Sequence, residues 1–108
     1  MISARLMNWL KLGGFSEGES VSWYLGWLGE AIEYLRGIGR KVDELWMSGI
    51  YSKIEGYRGE DMMYYIGLIM GEWEGVMLEK GGRIRELYMD GYNRLKALRN
   101  ELLLISLN

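Results

Sequence analysis

The chain has 108 residues, 49% hydrophobic and 26% charged, which is the composition of one ordinary globular domain. The formal net charge of −2 gives no overall field that selects nucleic acid or an anionic membrane as a partner. There is no cysteine and no histidine, which excludes disulfides, thiolate metal sites and the usual general base. We therefore expect a non-enzymatic protein with no catalytic residues, no cofactor and no metal site.

Proline, threonine and glutamine are also absent, whereas glycine occurs 16 times. Alanine, the best helix former, occurs only at Ala4, Ala31 and Ala97. Every codon for alanine, proline, threonine, histidine or glutamine has cytosine in its first or second place, so a cytosine-poor gene gives this composition. The pattern predicts a gene from a virus or a mobile element, with a laboratory library of restricted bases as the alternative origin.

The sequence predicts helices throughout, because apolar residues recur at steps of three and four and strand-like alternation is absent. A short first helix is predicted over about residues 2–12 and ends at the pair Gly13 and Gly14. A connection follows, in which Ser16 and Glu19 have the spacing of a capping box.

Two longer helices are predicted after this connection, over about residues 19–56 and about 60–106. Steps of three and four run without a slip through the first, and Glu60 and Asp61 supply the acidic first turn of the second. The first apolar series is Val21, Tyr24, Leu28, Ala31, Leu35, Ile38, Val42, Leu45, Gly49, Ser52 and Gly56. The second is Met63, Gly67, Met70, Glu74, Met77, Gly81, Ile84, Tyr88, Gly91, Leu95, Leu98, Leu102 and Ile105.

The architecture depends on whether the chain breaks at Gly37–Gly39 and at Gly81–Gly82. The heptad register passes through both sites, neither is followed by a typical N-cap residue, and a helix starting there would place arginines at its N-terminus. These observations predict an all-α fold in which a long antiparallel helical hairpin follows the short N-terminal helix, in one domain over residues 1–108. The alternative is a compact four-helix bundle broken near both glycine sites.

A two-helix hairpin buries only a narrow seam, so many apolar side chains would remain exposed and favour association with another copy. We therefore predict a homo-oligomer, most simply a dimer, with a structural or interaction role. Three glycines spaced by four on one flank of the last long helix predict a close approach of another helix. The predicted interface residues are Trp27, Trp46, Ile69, Trp73, Gly67, Gly71 and Gly75.

Charge is unevenly distributed along the chain. Residues 60–79 contain five acids and no base, whereas residues 80–108 contain six bases and three acids. This asymmetry predicts an acidic segment facing a basic one, within the chain or between two copies. Arg85, Tyr92, Lys96 and Arg99 form one helical stripe, but the negative net charge argues against nucleic acid as the partner.

Other sites receive less support from the sequence. Glu30 and Glu33 are spaced to share a metal but lack the histidines that such bundles use, so a surface pair is expected. Five tryptophans, eight tyrosines and eight methionines fit a packed core or an apolar pocket. The alternative to a self-associating protein is therefore a monomeric four-helix bundle, designed or library-derived, that has no natural function or binds a small apolar ligand. Uncharged runs reach only about ten residues, against about 18 for a membrane span, and no signal peptide is visible, so a soluble protein of unspecified compartment is expected.

Overall fold

A computed structural model describes residues 17–56 and 59–106, and these residues form four α-helices. The predicted short helix over residues 2–12 lies outside the described residues. Short connections join the helices, so that each runs antiparallel to the next, and the fourth helix closes the bundle against the first. The all-α class and the four-helix form are therefore confirmed. The helices are α1 (Glu17–Gly37), α2 (Lys41–Gly56), α3 (Gly59–Leu78) and α4 (Gly82–Ser106).

The continuous helix predicted over residues 19–56 is interrupted after α1, in a turn centred on Gly39. Gly39 has a φ of 76°, in the left-handed region that glycine adopts without steric cost. Its N–H donates to the carbonyl oxygen of Arg36 at 3.2 Å, and the N–H of Arg40 donates to that of Leu35 at 2.9 Å. These two bonds form a Schellman motif, which satisfies the last carbonyl groups of α1 without any capping side chain.

The helix predicted over residues 60–106 is likewise interrupted, between Leu78 and Gly82. The N–H groups of Glu79 and Lys80 donate to carbonyl oxygens three residues earlier, at 3.0 and 3.1 Å, so α3 ends in a tightened turn. Gly82 then has a φ of 56°. The prediction that both glycine sites continue the helix is therefore wrong, because one glycine at each site adopts the left-handed conformation.

The arginines that argued against these breaks have local partners. Arg40 precedes α2, and its Nε lies 2.9 Å from Oδ2 of Asp43 in the first turn of that helix. The guanidinium of Arg85 donates to the carbonyl oxygen of Leu78 at 3.0 Å, so it caps the end of α3 although it belongs to the start of α4. A cation near a helix N-terminus is therefore tolerated here.

The buried positions show that the heptad register resets at the first break. The predicted series is buried through Leu35 in α1, but α2 buries Met47, Ile50 and Ile54 and exposes Val42 and Leu45. In α3 the buried residues are again shifted from the predicted ones, whereas α4 follows its predicted series. The buried residues of α3 and α4 are Met62, Ile66, Ile69, Trp73, Tyr88, Leu95, Leu98 and Leu102.

Candidate functional site

The predicted interface residues divide between the core and the surface. Ile69 and Trp73 are 2% and 0% exposed and lie in the core of the single chain, and Trp27 and Trp46 pack against that core while partly buried. The hairpin left these four side chains uncovered, and the folded bundle covers them, so the reason for assigning them to an interface no longer holds. The remaining predicted positions are exposed on the outer side of α3 and have no atom within 4 Å of an added Cβ: Gly67, Gly71 and Gly75.

An aromatic cluster fills the centre of the bundle. The Trp73 ring lies 5.1 Å from that of Trp46, 5.7 Å from that of Tyr88 and 6.3 Å from that of Trp27, measured between centroids. Two of the three indole N–H groups have partners: that of Trp73 donates to the carbonyl oxygen of Tyr88 at 2.7 Å, and that of Trp27 donates to Oδ2 of Asp90 at 3.0 Å. The first of these bonds is buried and satisfies the indole at the centre of the cluster.

Gly91 provides the space that the aromatic cluster occupies. A Cβ atom at this position would lie 2.3 Å from Cζ2 of Trp73 and 2.6 Å from Cη2 of Trp27. The Tyr24 hydroxyl donates to the Gly91 carbonyl oxygen from the other side, at 3.4 Å. Two indole rings therefore fill the space beside Gly91, and a ligand pocket at this place would need that space to be open.

A buried carboxylate joins α2, α4 and the turn between α3 and α4. Asp43 is 2% exposed and accepts hydrogen bonds from the Tyr88 hydroxyl at 2.6 Å, Lys80 Nζ at 2.8 Å and Arg40 Nε at 2.9 Å. Burial raises the pKa of Asp43, but the bonds from Lys80, Tyr88 and Arg40 outweigh it and leave the pKa below its usual value. Burial and the Asp43 carboxylate both raise the pKa of Tyr88. Every member of this cluster is paired, as expected of a structural element.

The acidic side chains of the described residues do not gather into a group that could hold a metal ion. Residues 17–56 and 59–106 contain no group of three or more acidic, histidine or cysteine side chains placed to hold a metal ion. Within the same residues, no buried side-chain nitrogen or oxygen lacks a hydrogen-bond partner. Glu33 lies at the surface and pairs with Arg36.

A first candidate surface, the α3–α4 face, consists of one outward stripe on each of these two helices, with exposed apolar side chains at Tyr64, Leu68, Met89 and Leu103. On α3 it comprises Tyr64, Leu68, Gly71 and Gly75, spaced by four, three and four residues, and on α4 the stripe Met89, Tyr92, Lys96, Arg99 and Leu103. The Tyr92 hydroxyl donates to Oε2 of Glu74 at 3.4 Å, which places the α4 stripe on the flank nearest α3. The spacing on each helix resembles that of a coiled-coil seam, but here it faces outward.

A second candidate surface lies at one end of the bundle. The α1–α2 and α3–α4 turns meet there, as the contact between Lys80 and Asp43 shows. We call this surface the turn end and define it as residues 36–45 and 78–85. Four of its apolar side chains are 49–76% exposed: Ile38, Val42, Leu45 and Leu78.

The sequence pattern placed Ile38, Val42 and Leu45 in the core, so it missed the turn end. A signal was present in the acidic pair Asp43 and Glu44, which is typical of a first helical turn and marks the start of α2.

No helix within residues 17–56 and 59–106 is both long and apolar enough to cross a bilayer. No protein family, curated protein or solved structure matches this chain.

Proposed function

We propose that this is a non-enzymatic helical protein that self-associates, through the α3–α4 face, into a symmetric dimer with a structural or interaction role. The observation that carries the proposal is the outward seam on α3, where Tyr64 and Leu68 are 65% and 47% exposed and are followed by Gly71 and Gly75. Contiguous exposed apolar surface of this kind typically marks an interaction site.

Charge favours a second copy as the occupant. Residues 60–79 contain five acids and no base, whereas α4 contains five bases and three acids. A two-fold axis parallel to the helices would place α3 of each copy on α4 of the other. Acidic and basic surfaces would then meet twice, which strengthens and orients association.

The glycines favour a close contact on α3. At Gly71 and Gly75 nothing within the chain lies within 4 Å of an added Cβ, so these positions form a smooth strip of backbone. Apolar side chains of the partner's α4, such as Met89 (47% exposed here), can pack directly against such a strip. The proposal therefore keeps two of the three glycines predicted from the sequence, Gly71 and Gly75, and replaces Ile69 and the tryptophans with exposed residues of α3 and α4.

A substitution at Gly71 tests the proposal without disturbing the core. Gly71→Lys adds a cation that faces the partner's basic α4, so the dimer should weaken and the mass measured by light scattering should fall towards 12.6 kDa. The isolated chain should not lose stability, because lysine is a better helix former than glycine. Gly26→Lys is the matched control, since Gly26 is equally exposed and free of neighbours on α1 and should leave the mass unchanged.

The alternative is a monomeric four-helix bundle. It is favoured by the complete burial of Trp73 by the chain's own helices. The unsubstituted protein decides between the two, because the melting temperature of a dimer rises with protein concentration. A mass of 12.6 kDa at every concentration, together with constant melting, would contradict self-association.

A further inference from the structure

We propose that the turn end docks on a lipid surface rich in anionic headgroups. Its apolar side chains protrude from the tip of the bundle: Val42 is 76%, Leu78 66% and Leu45 56% exposed. They lie where the two turns meet, Val42 and Leu45 on the outer side of the start of α2 and Leu78 at the end of α3. Exposed apolar side chains at the end of a bundle suit insertion into the interfacial zone of a bilayer, which does not require a complementary groove.

The charges at the turn end complement anionic headgroups. Residues 36–45 and 78–85 contain six bases and three acids, although the whole chain has a net charge of −2. Two of the three acids, Asp43 and Glu44, are only 2% and 6% exposed and pair with arginines and a lysine. The cations therefore dominate the outer surface of this end.

Two of these cations are not used by the fold. Lys41 and Arg83 are exposed and form no ion pair among residues 17–56 and 59–106. Lys41 lies next to Val42 at the start of α2, and Arg83 begins α4 opposite the end of α3. Basic residues beside apolar ones are the combination that binds peripheral proteins to anionic membranes, each base strengthening binding by about fivefold.

The turn end is the more basic of the two described ends of the bundle. At the other end, the described side chains near the helix ends include the bases Lys53 and Arg99 and the acids Glu19, Glu55, Asp61 and Glu101. The turn end is therefore the end that would face an anionic surface. The bundle would stand on the membrane with the turn end down and the α3–α4 face accessible.

Sedimentation with lipid vesicles tests this orientation. The full chain should bind vesicles of phosphatidylcholine and phosphatidylserine, bind phosphatidylcholine alone far more weakly, and dissociate as salt is raised. Lys41→Glu combined with Arg83→Glu should lower the affinity at least about 25-fold, the loss of two fivefold contributions. Lys53→Glu combined with Arg94→Glu makes the same change in net charge outside both the turn end and the α3–α4 face, and should lower the affinity much less.

A second pair of variants tests the apolar contribution. Val42→Ser combined with Leu78→Ser should weaken binding at least about tenfold, because both side chains would no longer leave water. Leu104→Ser changes an exposed apolar residue outside both the turn end and the α3–α4 face, and serves as the control. Circular dichroism establishes that every variant is folded.

Three results would overturn the proposal. The first is no binding to the anionic vesicles, and the second is an equal loss in the turn-end and control variants, which would indicate a general charge effect. The third is a fall in oligomer mass, without any change in vesicle binding, when Val42 and Leu78 are replaced. That result would make the turn end a contact between protein molecules.

Discussion

Replacing Gly91 with alanine should destabilise the protein, against the ordinary preference of helices. In an exposed helix interior, glycine to alanine gains about 1 kcal/mol in the free energy of unfolding. At Gly91 the added Cβ would lie 2.3 Å from Cζ2 of Trp73, and 2.6 and 2.9 Å from two atoms of the Trp27 ring. Because carbon atoms in contact are normally about 3.5–4.0 Å apart, the rings or the helix must move.

The rings have little freedom to move. The Trp73 indole is bonded to the Tyr88 carbonyl oxygen at 2.7 Å and stacks within 6 Å of two other aromatic rings, those of Trp46 and Tyr88. Overpacking a rigid core costs about 1–3 kcal/mol. After the gain in helix propensity is subtracted, Gly91→Ala should lower the free energy of unfolding by up to about 2 kcal/mol.

Urea unfolding followed by circular dichroism measures this change. Gly26→Ala and Gly49→Ala are matched controls, because nothing lies within 4 Å of an added Cβ at either position. Each control should raise the free energy of unfolding by about 0.5–1 kcal/mol. If Gly91→Ala stabilises the protein as much as the controls do, the close packing of α4 against the tryptophans is refuted.

Three further changes test the turns and the buried carboxylate. The substitutions Gly39→Ala and Gly82→Ala should each lower the free energy of unfolding, measured by heat or urea, by about 1–2 kcal/mol, because both glycines have a positive φ. Gly37→Ala is the control and should leave this free energy unchanged or raise it. Asp43→Asn should cost about 2–3 kcal/mol in urea unfolding, since it leaves the largely buried Lys80 without its counter-ion. The pKa of Asp43 is below its usual value, so the Asp43 carboxylate should contribute fully to stability above about pH 5. This contribution should be lost as the pH falls through the lowered pKa. The difference in urea midpoint between the wild type and Asp43→Asn should therefore shrink over the same pH range.

The sequence was sufficient to predict the helical class and the packing of α4. The buried residues Tyr88, Leu95, Leu98 and Leu102 all lie in the predicted apolar series. The predicted period describes the inward side of α4 from end to end, whereas in α3 the pattern selected neighbouring positions, such as Met63 and Met70 in place of the buried Met62 and Ile69.

The two breaks were not predicted, because the stop signal is carried by the backbone. At Gly39 a left-handed residue and two backbone hydrogen bonds end α1, and no capping side chain is needed. With 16 glycines in the chain, several of them inside helices, glycine alone does not distinguish a turn from a helix interior. The unbroken heptad spacing was misleading, since Val42 and Leu45 keep the period of α1 while facing outward on α2.

The candidate interface was predicted only in part, for a related reason. Ile69 and Trp73 seemed surplus in a two-helix hairpin, but folding each long helix back on itself provides two more helices to cover them. Which glycines face a neighbour is also a tertiary property: Gly91 touches two indoles, whereas Gly71 has open space around it. Sequence spacing alone treats these two glycines alike.

The outward stripes of α2 and α3 link the sequence pattern to the proposals. Each of these middle helices has an inward apolar side and a second apolar series on its outer side, at Val42 and Leu45 in α2 and at Tyr64 and Leu68 in α3. A surface helix of a self-sufficient bundle needs one apolar side, and its opposite side is normally polar. The second series is surplus to the core, so it calls for a covering layer: another copy along the α3–α4 face and lipid at the turn end.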